Sequence, residues 1–168
     1  MPRSNARAPA LRRLRKKVER LAYRVAWFGV RWQWRIFQPV TLGVRILLVR
    51  DGEVLLVRHT YRSGWFLPGG GLKRRERLAD AARREAREEA GATIGALTFV
   101  GLYASFHGKS DHVALFAATD FEVTGEHDEE IAQVDWFPIE ALPADVAPGT
   151  RARIREYQSQ SGPFTDDW

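Results

Sequence analysis

The sequence predicts an α/β domain preceded by a basic amphipathic helix. Three observations predict it. Short β-branched and aliphatic runs, punctuated by turn residues, lie on both sides of one long segment rich in Ala, Arg and Glu. That segment, residues 77 to 90, contains neither Gly nor Pro. Before residue 39, apolar side chains recur at a helical period among many arginines.

In chain order, Leu11, Leu14, Val18, Leu21, Val25, Phe28 and Trp32 are spaced alternately by three and four, which draws one stripe along a helix of roughly 25 residues. Pro39 ends it by removing a donor and restricting Gln38. Arg24, Arg31 and Arg35 break up the apolar content, so no run reaches the roughly 20 residues that span a bilayer. No uninterrupted apolar segment follows the basic start, which argues against a signal peptide, although an Arg-rich, acid-poor leader resembles an organellar transit peptide. Packing of the stripe on the domain or on a twin helix in a homodimer is one expectation for this segment. Peripheral membrane contact through residues 11–36 is the other, since Trp27, Trp32 and Trp34 accompany an Arg-rich face.

Leu42 to Val49 and Val54 to Val57 read as two antiparallel strands joined by the turn pair Asp51-Gly52. Trp65 to Leu67 reads as a short third strand ahead of Pro68 and the triplet Gly69-Gly70-Gly71. The helix over 77–90 is closed by Gly91, a natural left-handed cap. Leu97 to Tyr103, Val113 to Phe121 and Val134 to Phe137 read as further strands. Pro138 to Pro143 reads as a helical turn between prolines, Thr150 to Gln158 as a last helix, and 159–168 as a loose tail. The domain boundaries that follow are 1–38 for the extension, 39–158 for the main domain and 159–168 for the tail.

Composition narrows the function. With 168 residues, 45% hydrophobic and 28% charged, the chain has room for one domain with a real core. No cysteine is present, which excludes zinc–thiolate sites, iron–sulfur clusters and thiol nucleophiles and suits a reducing cytoplasmic setting. The net charge of +5 is unevenly placed. Residues 1–38 hold eleven Arg or Lys against Glu19 alone, a balance of +10, which leaves −5 for residues 39–168. Nucleic-acid binding by the main domain is therefore not expected from the overall basicity.

The chemistry concentrates at one spacing: Gly70, five residues, Glu76, seven residues, then Arg84-Glu85-Ala86-Arg87-Glu88-Glu89-Ala90-Gly91-Ala92. At 100° per residue, Glu88 and Glu89 fall about 60° behind and about 40° ahead of Glu85, so three carboxylates share a helical face. Taken alone, such a face beside Arg83, Arg84 and Arg87 is a solvated, salt-bridged surface. Clustered carboxylates become favourable when hard divalent cations sit between them, and Mg²⁺ or Mn²⁺ is the natural choice. Arg84 is placed to orient a neighbouring carboxylate, Glu76 to do similar supporting work, and Gly69 to Gly71 to let backbone approach metal or phosphate.

This spacing resembles the Nudix hydrolase box with every required position filled, and the resemblance extends over about residues 40 to 145. It implies an α/β/α sandwich with a mixed sheet and a metal-dependent pyrophosphohydrolase acting on a nucleotide-type diphosphate. Glu85, Glu88 and Glu89 become metal ligands together with the backbone carbonyl of Gly69. Arg84, Glu85 and Glu88 become the catalytic group, joined by Glu130, which stands six residues before Trp136-Phe137-Pro138, with Glu129 second. Lys73-Arg74-Arg75 fills a stretch that in many relatives holds an acidic residue and a turn glycine. Arg58, Gly70, Gly71 and His112 are the candidate substrate contacts. His59, Tyr61 and His107 stand close to the same segments, while Trp65 and Trp136 read as packing. Residues 105–110 carry neither the proline associated with ADP-ribose hydrolases nor the tyrosine associated with dinucleoside polyphosphate hydrolases, so the substrate stays a nucleoside triphosphate or other nucleoside diphosphate derivative. The alternatives are a binding or regulatory module that recognises a diphosphate without cleaving it, and an RNA-binding protein using the basic helix.

Overall fold

The computed structural model describes residues 40–105, 111–159 and 161–168. The chain divides into units at Met1–Pro39 and Val40–Trp168, and the second is described below. The helical stripe from Leu11 and the candidate His107 lie outside the described residues.

Eight strands and two α-helices make up the domain: β1 (Thr41–Arg50), β2 (Glu53–His59), α1 (Leu78–Ala90), β3 (Ala92–Ile94), β4 (Thr98–Ser105), β5 (Asp111–Ala118), β6 (Phe121–Val123), β7 (Ile131–Pro138), α2 (Pro148–Ser159) and β8 (Phe164–Asp167). A 3-10 turn at Ile139–Ala141 answers the proline-bounded segment. The main sheet runs β7-β2-β1-β5-β4-β8 and is mixed, because β1 pairs parallel with β5 and antiparallel with β2. The β1–β2 hairpin turns as its sequence demands, with Asp51 and Gly52 both in the left-handed region at φ 52° and 80°.

Each face of the sheet carries its own apolar cluster. On one, Val44, Ile46, Leu48, Leu55 and Val57 meet Ala81, Ala82, Ala86 and Ala90 of α1. On the other, Leu47, Leu56, Trp65, Tyr103 and Leu115 meet Ile154 of α2. Small alanines let α1 approach the strands closely. The result is the expected three-layer α/β/α arrangement around a mixed sheet.

Three local expectations are corrected. Residues 159–168 do not form a loose tail: Phe164–Asp167 pairs parallel with β4, and the Trp168 ring meets Tyr103 edge-on at 5.7 Å between centroids. Trp65 to Leu67 contributes isolated bridges rather than a strand, Phe66 pairing with Val57 and Trp65 with Val146. The run from Val113 to Phe121 divides at Ala118, because Phe121–Val123 leaves the main sheet to pair with β3.

Candidate active site

Two backbone devices deliver the glycine turn to α1. Val44 donates to the Gly70 carbonyl at 2.9 Å and Ile46 to the Pro68 carbonyl at 3.0 Å, which docks residues 68–70 along β1 and leaves the Gly69 carbonyl outside that ladder. Gly69 adopts φ 143°, and a Cβ there would come within 2.1 Å of the Val44 carbonyl oxygen, so only glycine fits. At the far end of α1, Gly91 at φ 60° closes the helix with its N–H on the carbonyls of Ala86 and Arg87.

The shared helical face exists as drawn from the sequence. Glu85, Glu88 and Glu89 line one cavity of about 340 Å³ with Gly69, Gly70, Gly71, Arg84 and Glu130. Glu85 is buried, and its carboxylate sits directly under Gly70. Glu89 accepts the Gly69 N–H at 2.8 Å. Burial pushes the Glu89 carboxyl up to about 7, and Glu85 and Glu130 add to the rise while the Gly69 amide and Arg45 oppose it.

Arg84 is the hub. Its Nε and Nη2 donate to the two oxygens of Glu76 at 2.7 and 2.9 Å, Nη2 also reaches the Gly71 carbonyl at 3.1 Å, and Nη1 donates to Glu85 and to Glu88. The bond from Arg84, then the Lys73 N–H, pulls the Glu76 carboxyl down to about 2. Glu76 thus clamps both the turn before α1 and the arginine inside it. Arg75 stands at φ 62°, the left-handed conformation that a turn glycine would take without strain.

Other candidates separate cleanly. Glu130 reaches the cavity, held by two bonds from Thr60 to its backbone carbonyl at 2.9 and 3.2 Å. Glu129 is not among the residues lining the cavity, whereas Asp128 is, its N–H tied to the Glu88 carbonyl at 2.8 Å. Arg58 is not brought to the cavity. It points to the α2 side, paired with Asp145 at 2.7 Å and stacked on Trp65 at 4.5 Å. Alternation along β2 is the reason, because it turns His59 to the α1 side in the same step. His112 sits at the start of β5 opposite Leu42 and is likewise not among the lining residues. Trp65 packs edge-on against Phe137 and Trp136 stacks on Phe121, as packing residues should.

Sequence reasoning missed Arg45 and Arg62, both on the cavity wall. The signal for Arg45 was present: a single cation within the otherwise apolar run of residues 42–49.

The donor set suits a hard divalent cation. A partly buried carboxylate driven toward its protonated form, as Glu89 is, with further carboxylates around it, is where an added cation gains most. Among the described residues no three ligating side chains already converge on one point, and Arg84 holds Glu85 and Glu88 by one oxygen each. Among the described residues, no helix is long and apolar enough to cross a membrane.

A family model described as the NUDIX domain matches residues 39–157. The chain is 31% identical over 104 residues to the low-salt glycan biosynthesis protein Agl8 of Haloferax volcanii, covering 58% of this chain and 67% of that protein. It is 27% identical over 134 residues to the NAD-capped RNA hydrolase NudC of Vibrio parahaemolyticus, covering 79% of this chain but only 50% of NudC. Among solved structures, the MutT NUDIX hydrolase from Burkholderia pseudomallei superposes with a TM-score of 0.64 at 25% identity, over 70% of this chain and 98% of that one. A NUDIX hydrolase from Nitrosomonas europaea gives 0.67 at 23% identity, over 77% and 78%, and supports the fold alone.

Proposed function

This chain belongs to the NUDIX family, and on that premise we propose that it is a divalent-metal-dependent pyrophosphohydrolase that cleaves the diphosphate linkage of a nucleotide derivative. The observation that carries this reading is the carboxylate face of α1 closed by the glycine turn, with Glu89 bonded to Gly69 and Glu85 and Glu88 bonded to Arg84. Glu85, Glu88, Glu89 and the Gly69 carbonyl would hold Mg²⁺ or Mn²⁺. Such a cation, when bound, neutralises phosphate oxygens and makes phosphorus more electrophilic. Arg84 holds one oxygen of Glu85 and one of Glu88, and Glu76 fixes Arg84. Glu130, lining the same cavity and carried by a segment tied to Thr60, is the proposed proton acceptor for the attacking water. Gly70 and Gly71 leave the approach to Glu85 free of side chains. The products are two phosphorylated fragments. The name of the NudC relative supports a diphosphate as the shared chemical feature, because NAD joins two nucleosides through one.

The reading is tested by following product release from a panel of nucleoside diphosphate derivatives and nucleoside triphosphates, with Mg²⁺ and with Mn²⁺. Wild type should turn over at least one member, and Glu88→Gln and Glu89→Gln should lose at least about 100-fold in rate. Absence of turnover by wild type would leave a diphosphate-binding module in its place. Unchanged turnover in both variants would remove the assigned carboxylates.

A further inference from the structure

The carboxylates of α1 are only part of the cavity lining, which also includes Arg45, His59 and Arg62. Arg45 lies on β1 where the glycine turn comes closest, its Cα 2.9 Å from where a Cβ on Gly69 would be. Among the described residues it makes no ion pair, and its bond to the Val44 carbonyl, at 3.5 Å, is at the limit of a hydrogen bond. A guanidinium carries five donors, so most of those on Arg45 have no protein partner although the residue is partly buried. His59 is 6% exposed, and its Nδ1 has no partner. Its ring lies against Tyr61 and Phe66, with centroids 5.2 and 5.7 Å away. Arg62 rests 3.8 Å above the same Phe66 ring, which holds a second guanidinium at the cavity.

Burial and the repulsion of Arg62 lower the pKa of Arg45, against the attraction of Glu89 and Glu85. Burial, then Arg45 and Arg62, lowers that of His59, against the attraction of Glu130. Cations gathered at a partly buried wall with no contacting anion are costly unless an anion arrives from outside. If Arg45 served only as counter-charge to Glu89, contact with that carboxylate would be expected, and Arg62 would have no reason to face the same space.

We infer that Arg45, Arg62 and His59 form an oxyanion subsite that grips the diphosphate oxygens turned away from the carboxylates of α1. Planar guanidinium forks match the paired oxygens of a diphosphate ester. The inference rests on reading the cavity as a diphosphate site, and it adds a binding wall that the carboxylate motif does not specify.

The test uses the full chain and methylenediphosphonate, a hydrolysis-resistant diphosphate, titrated calorimetrically in saturating Mg²⁺. Mn²⁺ affinity without diphosphonate is measured in parallel by electron paramagnetic resonance. The basic residues 1–38 give a background of anion binding common to all variants, so differences are the readout. Arg45→Gln should weaken diphosphonate binding about 30-fold, and the more exposed Arg62→Gln about fivefold, with Mn²⁺ affinity no weaker than wild type. Unchanged diphosphonate affinity in both variants, no binding by wild type, or a matching loss of Mn²⁺ affinity overturns the subsite. If Arg45→Gln does not fold, Arg45→Lys keeps the charge without the fork and should lose about tenfold; wild-type affinity there and in Arg62→Gln overturns it equally. Hydrolysis absent from wild type while the diphosphonate differences persist removes the hydrolase and keeps the subsite. Wild-type kcat and KM in Arg45→Gln do the reverse.

Discussion

Two adjacent glycines should respond differently to the same substitution. A methyl group added at Gly70 would lie 2.7 Å from both carboxylate oxygens of Glu85 and 2.8 Å from its carboxyl carbon. Ordinary contact begins at 3.4 Å, so the carboxylate must retreat by about 0.7 Å, the difference between 3.4 and 2.7. Metal–ligand distances tolerate roughly 0.2 Å, and Glu85 cannot keep its place as a ligand after that displacement. Gly70 is not in the left-handed region, so alanine brings no backbone strain of its own. The cost of crowding falls on Glu85 and on its bond from Arg84, roughly 1–2 kcal/mol of stability. Mn²⁺ affinity should drop about 10- to 100-fold in Gly70→Ala. At Gly71 the methyl would meet nothing within 4 Å, and Gly71→Ala should bind Mn²⁺ as wild type does. Manganese titration by electron paramagnetic resonance, with thermal melts alongside, reads both effects. Wild-type affinity in Gly70→Ala, or equal losses in the two variants, would refute the placement of Glu85 beneath the turn.

Arg84→Met should lose about 3 kcal/mol in urea unfolding, because three carboxylates lose a shared partner that is only 13% exposed, and hydrolysis should fall at least about 100-fold. Glu76 contributes stability that is complete above its ordinary pKa of 4.5 and is lost as pH falls through about 2. Glu76→Gln should therefore flatten the acid limb of the stability profile between those values, as read by urea midpoints. Trp168→Ala removes a ring packed on Tyr103 and Gly149 and should cost about 2 kcal/mol in urea unfolding without changing Mn²⁺ affinity; a loose tail would give no change. Arg75→Gly relieves a left-handed residue but loosens the unfolded chain, so thermal melts should show a neutral to roughly 1 kcal/mol stabilising effect.

What the sequence revealed of the fold was local in origin. The hairpin at Asp51-Gly52 and the helix ending at Gly91 are decided by residues within a few positions, and both lie where the pattern puts them. Strands β3 and β6 have three residues each and exist through pairing across the chain, Ile94 with Phe121, which no short window displays. Strand β8 is less visible still. Phe164 and Thr165 favour a strand but Asp166 and Asp167 oppose one, and its place is fixed by pairing with β4 and by Trp168 against Tyr103 and Arg153.

The candidate site divides the same way. Three carboxylates at helical spacing had to share a face, because α1 is a rigid rod, so one wall could be drawn in advance. The rest of the lining depends on strand alternation and on which loop touches which strand: of the neighbours expected near the substrate, Arg58 turns away while His59 and Tyr61 line the cavity. The structure also gives Glu76 a more definite task than supporting a helix start. By taking Nε and Nη2 of Arg84, it leaves Nη1 alone to reach both Glu85 and Glu88. An arginine free of Glu76 could turn its whole fork onto those carboxylates and neutralise them permanently. Glu76 keeps the arginine off their second oxygens, of which that of Glu88 meets only the exposed Lys73 ammonium at 3.8 Å, and Glu89, hydrogen-bonded by the Gly69 amide, stays outside the arginine's reach. A charge that is left incompletely balanced in this way is what an exchangeable cation can complete, and a second fixed arginine could not.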